Sequence, residues 1–226
     1  MALLEMMSQN PLFSQAGNNQ REELAGMAVS RRYNAGQWIT YHGDVWPYLF
    51  MVESGRVNAV KESSEGRSLI VVSLEPGEVF WGLAFFIEEA FMPVGLVADQ
   101  DCIIHSWSRE GLLPYLTRNG GMSWELNKLM IRRMMYASNI LEETAFQPVT
   151  GRLARLLLEN YGDSAGDTIA HEWTLDEMAA RIGTKREIVC RQLSRFAEEG
   201  AIQINRTEFK ITDQGLLEDF ARKVKG

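Results

Sequence analysis

From residue 33 to residue 108 the apolar positions fall in short runs, WITY, YLFMVES, RVNAV, SLIVVSL and CIIHSWS, rich in β-branched and aromatic side chains. Glycines at Gly36, Gly43, Gly55, Gly66 and Gly77 divide them, 7 to 12 residues apart. Short strands at that spacing predict a sandwich or barrel, and glycine suits the turns because it reaches positive φ without a Cβ clash. Near Met122 the period changes. MSWELNKLMIRRMMYASNILEETAF holds no glycine or proline, which predicts one long helix. Leu126, Leu129, Tyr136 and Ile140 make one apolar stripe, interrupted by Arg133; Met130, Met134, Ala137 and Leu141 make an adjoining one. A helix apolar on two sides needs two neighbours. The expected pair is the β-rich part of the same chain and the equivalent helix of a second copy; a single broad core face in a monomer is the alternative.

QPVTG, residues 147 to 151, ends this helix, because Pro148 removes a backbone donor and disfavours helical geometry at Gln147. RLARLLLENY follows as an amphipathic helix, then the loop GDSAGD. In TLDEMAARIGTKREIVCRQLSRFAEEGAI, residues 174 to 202, two helical patterns sit either side of Gly183. Thr174 with Glu177, and Thr184 with Glu187, have the spacing of capping boxes. Two helices joined by so short a turn read as a helix-turn-helix. At about 100° per residue, Arg186, Glu187, Cys190, Arg191, Ser194 and Arg195 share one half of the second helix. Ile188, Val189, Gln192, Leu193 and Phe196 take the other. Arginine forks onto guanine N7 and O6, and glutamate accepts from cytosine N4, so the polar half suits the major groove; a merely solvated basic face is the alternative. AIQINRTEFKIT then reads as a hairpin, Ile202 and Ile204 against Phe209 and Ile211, with Arg206 and Lys210 placed to touch phosphate.

Charge sharpens the picture. The 226-residue chain carries net charge −7, yet Arg181, Lys185, Arg186, Arg191 and Arg195 fall within fifteen residues opposed only by Glu187. Residues 1–150 hold 17 acids against 11 bases, and residues 151–226 hold 13 against 12. Most of the excess acid thus lies outside the basic segment, where it is expected to limit non-specific adhesion to nucleic acid. The longest apolar run, VFWGLAFFI, is far short of the ~20 residues of a membrane helix. MALLEMMSQN has Glu5 where an export signal wants cations, and Cys102 and Cys190 form no CxxC pair. The expectation is therefore a cytoplasmic protein without a disulfide framework, structural zinc or membrane partner. No nucleophile–base pairing, HExxH or phosphate loop is present, and Glu88-Glu89 reads as a solvated turn, so an enzyme is not expected.

HGDVWPYLFMVESGRVNAVKESSEGRSLIVVSLEPGEVF, VTGRLARLLL and IGTKREIVCRQLSRFAEEGAI resemble, in this order, the β-roll, hinge and recognition helix of the family of the cyclic-AMP receptor protein and the fumarate-nitrate regulator (CRP/FNR). Arg186, Glu187 and Arg191 match its R-E-x-x-x-R motif. The resemblance implies an α+β fold: an N-terminal β-roll resembling a cyclic-nucleotide-binding jelly roll (1–121), a long dimerisation helix (122–147) and a C-terminal winged helix-turn-helix (148–226). It implies a homodimer on a double-stranded, palindromic operator with TGTGA-like half-sites, and RNA polymerase as a further partner. Thr184, Lys185, Arg186, Glu187, Cys190, Arg191, Arg195 and Arg206 are the expected DNA contacts. Leu126, Leu129, Met130, Tyr136 and Ile140 are the expected helix–helix contacts. Coupling through the hinge at 149–151 would run by Met134, Tyr136, Ala137 and Leu141.

The chain departs from the family in its phosphate cassette. Aligned on Pro76-Gly77-Glu78, the ribose-binding glutamate falls at Gly82 and the Arg-Ser pair at Met92-Pro93, and no cation lies between Arg67 and Arg109. A buried phosphate without a charged donor costs about several kcal/mol, so cyclic AMP in the usual mode is not expected. Arg133 and Ser138 lie where the family contacts nucleotide, but Ala137 replaces a threonine. Phe80, Trp81, Phe85, Phe86, Phe91 and Met92 are read either as a filled core or as a pocket for an apolar effector or haem. His42, His105 and Cys102 are the candidate iron ligands. The family's N-terminal cysteine cluster is missing, which argues against an iron–sulfur cluster. Cys190 is read as a small side chain in the groove, or as a thiol made oxidisable by its cationic neighbours.

Overall fold

The computed structural model describes residues 3–63, 68–170, 173–205 and 208–222. These form two compact units, one of Met1–Lys61 and Val71–Met135, the other of Glu62–Ile70 and Tyr136–Gly226. Two helices open the chain, α1 (Leu3–Gln9) and α2 (Asn18–Met27). Eight strands follow: β1 (Val29–Tyr33), β2 (Trp38–Thr40), β3 (Tyr48–Ser54), β4 (Val57–Glu62), β5 (Ser68–Leu74), β6 (Val79–Trp81), β7 (Gly95–Ala98) and β8 (Cys102–Ser108). They build two four-stranded sheets, ordered β1-β8-β3-β6 and β2-β7-β4-β5. The pairings of β3 with β6 and β8, of β1 with β8, and of β7 with β2 and β4 are antiparallel. Gly36, Gly43, Gly55 and Gly77 all have positive φ, as their turns require; Gly66 lies outside the described residues.

The continuous apolar run of β3 has a two-sided explanation. Successive strand side chains point to opposite faces. Leu49 and Met51 enter one core with Met7, Phe13, Trp107, Leu112 and Met122. Phe50 and Val52 enter a second with Val57, Leu74, Met92, Leu96 and Ile104. The first core lies against helices: α1, α2, α3 (Arg109–Arg118) and the start of α4 (Gly120–Phe146). The other lies between the sheets.

Two sequence expectations about α4 and its surroundings change. The helix starts at Gly120, ahead of the expected Met122, because the Asn119 side chain accepts the Met122 N–H (3.1 Å) and caps it. Leu126, expected at a helix–helix seam, is buried among Leu112, Leu116, Phe85 and Trp107, with Leu129 partly buried beside it. The first third of the stripe is therefore taken up by the chain's own core.

In the second unit α5 (Val149–Tyr161) follows the break at Pro148, which takes the N-cap position. A short strand β9 (Ile169–Ala170), α6 (Leu175–Ile182), α7 (Arg186–Glu198), the hairpin β10 (Ile202–Ile204) and β11 (Glu208–Ile211), and α8 (Gln214–Arg222) complete it. The hairpin has the expected register, Ile202 opposite Ile211 and Ile204 opposite Phe209. β9 adds a third strand at its outer edge, ordered β10-β11-β9. The core comprises Leu153, Leu157, Tyr161, Trp173, Met178, Ile182, Val189, Leu193, Phe196, Phe209 and Phe220. No helix among the described residues is long and apolar enough to cross a membrane.

Candidate functional site

Helix α6 starts on a reciprocal cap: the Glu177 N–H donates to Thr174 Oγ1 (3.2 Å), and the Thr174 N–H donates to Glu177 Oε2 (2.6 Å). It stops at Gly183, whose φ of 63° and ψ of 47° are left-handed, a conformation open to glycine at little cost. The second expected box is not formed. The Thr184 N–H donates back to Ala179 O (2.9 Å), so this residue closes α6; Lys185 stands at the N-cap of α7 without a side-chain cap. Because α7 starts at Arg186, Thr184 lies one residue ahead of the N-cap and Glu187 one residue short of the position a box requires.

Arg186, Glu187, Cys190, Arg191, Ser194 and Arg195 are exposed, whereas Val189, Leu193 and Phe196 are buried and Ile188 and Gln192 half-buried. Gln192, the one polar member of the inner half, accepts a hydrogen bond from Thr150 Oγ1 at 2.7 Å, which ties α7 to α5. Arg152 of α5 is a second tie that sequence reasoning did not single out. It is buried, its Nε donates to Ile182 O (3.1 Å) and its Nη1 to Gln147 O (2.9 Å). Burial pulls this guanidinium below the ordinary arginine range, with Glu143 opposing. The two carbonyls sit at the ends of α6 and α4, where the helix dipole favours a cation. Periodicity gave no sign of this role, since it cannot tell a buried arginine from an exposed one.

The cations of the basic segment divide by their neighbours. Arg181 lies over the Trp173 ring, 4.4 Å from its centroid. Arg195 donates to Glu199 (2.8 Å) and rests 5.3 Å from the Phe220 centroid, so it is tied to its own fold. Arg186 pairs with Asp176 at 3.1 Å. Lys185 and Arg191 make no ion pair among the described residues. Thr184 is half-buried, Lys185 is exposed, and Arg206 lies outside the described residues.

In the N-terminal unit the expected effector residues do not line one space. Phe85 is in the helix-side core with Trp81 and Phe86 against it, while Met92 is in the inter-sheet core with Phe80 against it. Phe91 is 67% exposed and belongs to neither core. Rings connect these regions: Trp46 meets Phe50 (5.5 Å), Phe50 meets Phe80 (6.1 Å), and Phe80 stacks on Trp81 (5.6 Å). Phe91 aside, the aromatic residues of the segment thus divide between two cores, as the filled-core alternative of the sequence reading has it, rather than lining one space. The polar side of the cassette is also closed. A Cβ at Gly82 would stand 1.8 Å from Trp46 O, so no glutamate fits there without moving backbone. Arg133 donates through Nη2 to Glu78 Oε1 (3.0 Å), and Ser138 is exposed.

The candidate iron ligands sit in three different settings. His42 is exposed on a turn. His105 is buried, with Nδ1 2.7 Å from Ser30 Oγ and Nε2 2.6 Å from Glu53 Oε2, so both ring nitrogens are taken. Cys102 is buried, and burial followed by the charge of Asp101 pushes its thiol up, away from the thiolate a metal needs. No group of three or more His, Cys, Asp or Glu suited to a metal ion occurs among the described residues.

Residues 30–119 match the family model of the cyclic nucleotide-binding domain, and residues 151–220 that of the Crp-like helix-turn-helix domain. The "Cyclic AMP receptor protein" of Thermus thermophilus is 29% identical over 217 residues, covering 95% of this chain and 98% of the relative. The "CRP-like cAMP-activated global transcriptional regulator" of Mycobacterium tuberculosis is 25% identical, covering 83% and 85%. Among solved structures, a transcriptional regulator of the crp/fnr family from Eubacterium rectale shares the fold with a TM-score of 0.77 at 22% identity, covering 94% of this chain and 98% of that one. The regulator CLP of Xanthomonas campestris does so with a TM-score of 0.75 at 20% identity, covering 86% and 99%.

Proposed function

The chain belongs to the CRP/FNR family of transcription regulators, which bind DNA and are not enzymes, and on that premise we propose that it works as a homodimer on a palindrome of TGTGA-like half-sites. The observation that carries this reading is the exposed half of α7, where Arg186, Glu187 and Arg191 share one face over a rigid apolar backing. In the major groove the two arginines fork onto guanines and Glu187 accepts from a cytosine. Cys190 and Ser194 are small enough to let the helix sit deep; Thr184 and Lys185 are assigned to phosphate, and Arg206 is assigned there from its place in the sequence alone. Arg195 is assigned a supporting role at the rim because of its bond to Glu199.

The second copy docks along the later part of α4. Ile131, Met134, Met135, Tyr136, Leu141 and Phe146 are exposed in the single chain, a run of apolar surface that calls for a partner. Met130 and Ile140 flank it; Leu126 and Leu129 do not join it. Two-fold symmetry then presents the two α7 helices about 34 Å apart, one DNA turn. Functionally the chain divides into a sensor-derived domain (1–121), a dimerisation helix (122–147) and a reader (148–226). Its place of action is the cytoplasm, and RNA polymerase is the partner through which activation would run.

Two of the relatives carry cyclic AMP in their names. For this chain we assign no cyclic AMP binding in the usual mode, because Gly82 faces Trp46 backbone and Met92 is core. The same filling favours DNA binding that needs no small molecule over an apolar effector or haem. The test is selection of binding sites from a random duplex pool by the full chain, with and without cyclic AMP. A symmetric TGTGA-like motif, unchanged by the nucleotide, is the expected result. Arg186→Ala and Arg191→Ala should each relax one guanine, by about 1–3 kcal/mol. Failure to enrich any motif, or a requirement for cyclic AMP, refutes the reading.

A further inference from the structure

We propose that Asp176 is a specificity-determining residue, a carboxylate that aims Arg186 at a base and penalises its capture by the DNA backbone. The inference rests on the DNA-reading role of α7 proposed above. Asp176 and Glu177 occupy the same first turn of α6 but have different work. Glu177 is spent on the cap, donating nothing and accepting the Thr174 N–H at 2.6 Å. Asp176 is left outside the cap and reaches across the turn to α7, where its Oδ2 accepts from Arg186 Nη1 at 3.1 Å. Both side chains are well exposed, 59% for Arg186 and 68% for Asp176.

In water such an exposed pair contributes little to stability, so its value must be sought in the bound state. A guanidinium has five N–H donors in a fixed fork. One of them engaged by Asp176 leaves another edge for the two acceptors of a guanine. The tether also removes part of the rotamer freedom that a long side chain otherwise loses on binding a base. A phosphate oxygen competing for Arg186 would meet the carboxylate as well, like charge against like charge. Register-free binding, which depends on phosphates, therefore loses more from Asp176 than register-specific binding does. The contrast with Arg191, which has no acidic partner among the described residues, makes the two arginines unequal: one directed, one adaptable.

The test compares the full-length chain with Asp176→Asn, which keeps the shape and removes the charge, and with Asp176→Glu. A second charge control, Glu110→Gln, alters an acid in the other unit, on α3. Affinity is measured by fluorescence anisotropy over a salt series on three duplexes: the selected operator, the operator with the Arg186 guanine replaced, and a random sequence. Asp176→Asn should bind random duplex about tenfold more tightly with little gain on the operator. Its penalty for the replaced guanine should shrink by a similar factor, and its non-specific salt dependence should steepen by about one phosphate contact. Asp176→Glu should restore most of the discrimination, and Glu110→Gln should leave it at the original value. Equal gains on all three duplexes, or the same change in Glu110→Gln, would reduce Asp176 to bulk charge and overturn the proposal. A parent chain that binds none of the duplexes would instead refute the DNA-reading role itself.

Discussion

Replacing Gly82 by alanine puts the closed cassette to a direct test. The backbone there is ordinary, with φ −81° and ψ 150°, so an alanine meets no conformational strain. The obstacle is space: its Cβ would lie 1.8 Å from Trp46 O and 2.9 Å from Trp46 C, where 3.0 Å is the floor for real contacts. The carbonyl or the strand must therefore retreat by at least 1.2 Å, the 3.0 Å floor less the 1.8 Å to the carbonyl oxygen. Two attachments resist. The Gly82 N–H donates to Tyr48 O at 2.9 Å, worth about 1 kcal/mol net. The Trp46 ring packs edge-on against Phe50 at 5.5 Å, worth about 1 kcal/mol beyond its area. Adding the low end of overpacking strain, about 1 kcal/mol, gives a loss of about 3 kcal/mol. For a unit of this size that is about 10 °C in Tm, read by tryptophan fluorescence during a thermal scan. A melting point within about 2 °C of the parent would refute the argument. Gly82→Glu, which recreates the family's acid, should lose at least as much stability and still take up no cyclic AMP by calorimetry.

Leu141→Glu on exposed α4 surface should yield a folded monomer by analytical ultracentrifugation with both units intact, whereas Leu126→Ala should cost about 2–5 kcal/mol of stability and leave the assembly state unchanged. The reverse pattern would place the interface on the wrong third of the helix. Cys190 is exposed and Cys102 buried, so the native chain should be labelled by a maleimide at Cys190 alone, with Cys102 reacting only in denaturant. Operator DNA should slow the Cys190 reaction several-fold; equal labelling of both thiols, or no protection by DNA, would contradict the placement.

Much of the reader was legible from residue spacing alone. Thr174 and Glu177, Gly183, the two faces of α7 and the register of Ile202 to Ile211 are local features, set by caps, turns and side-chain periods within about ten residues. The long helix and its end at Pro148 were legible for the same reason. The elements that went unread are β1, β6, β7 and helices α1 to α3, which the β-roll pairs or covers, and β9 and α8, which pair with or pack on the C-terminal core. Likewise the apolar stripe of α4 could be seen, but how it is shared between its own core and a second chain could not. Leu126 and Leu141 are the same residue type at similar spacing, and only the packing of Leu112, Leu116 and Trp107 around the first separates them. The sequence could show that the cassette lacks a cation. That its aromatics fill two cores, that His105 has no free nitrogen, that Gly82 is pressed against Trp46, and that Asp176 holds Arg186 were all decided by tertiary structure. These are meetings of residues 10 to 75 positions apart, and periodicity carries no information about which distant side chain arrives.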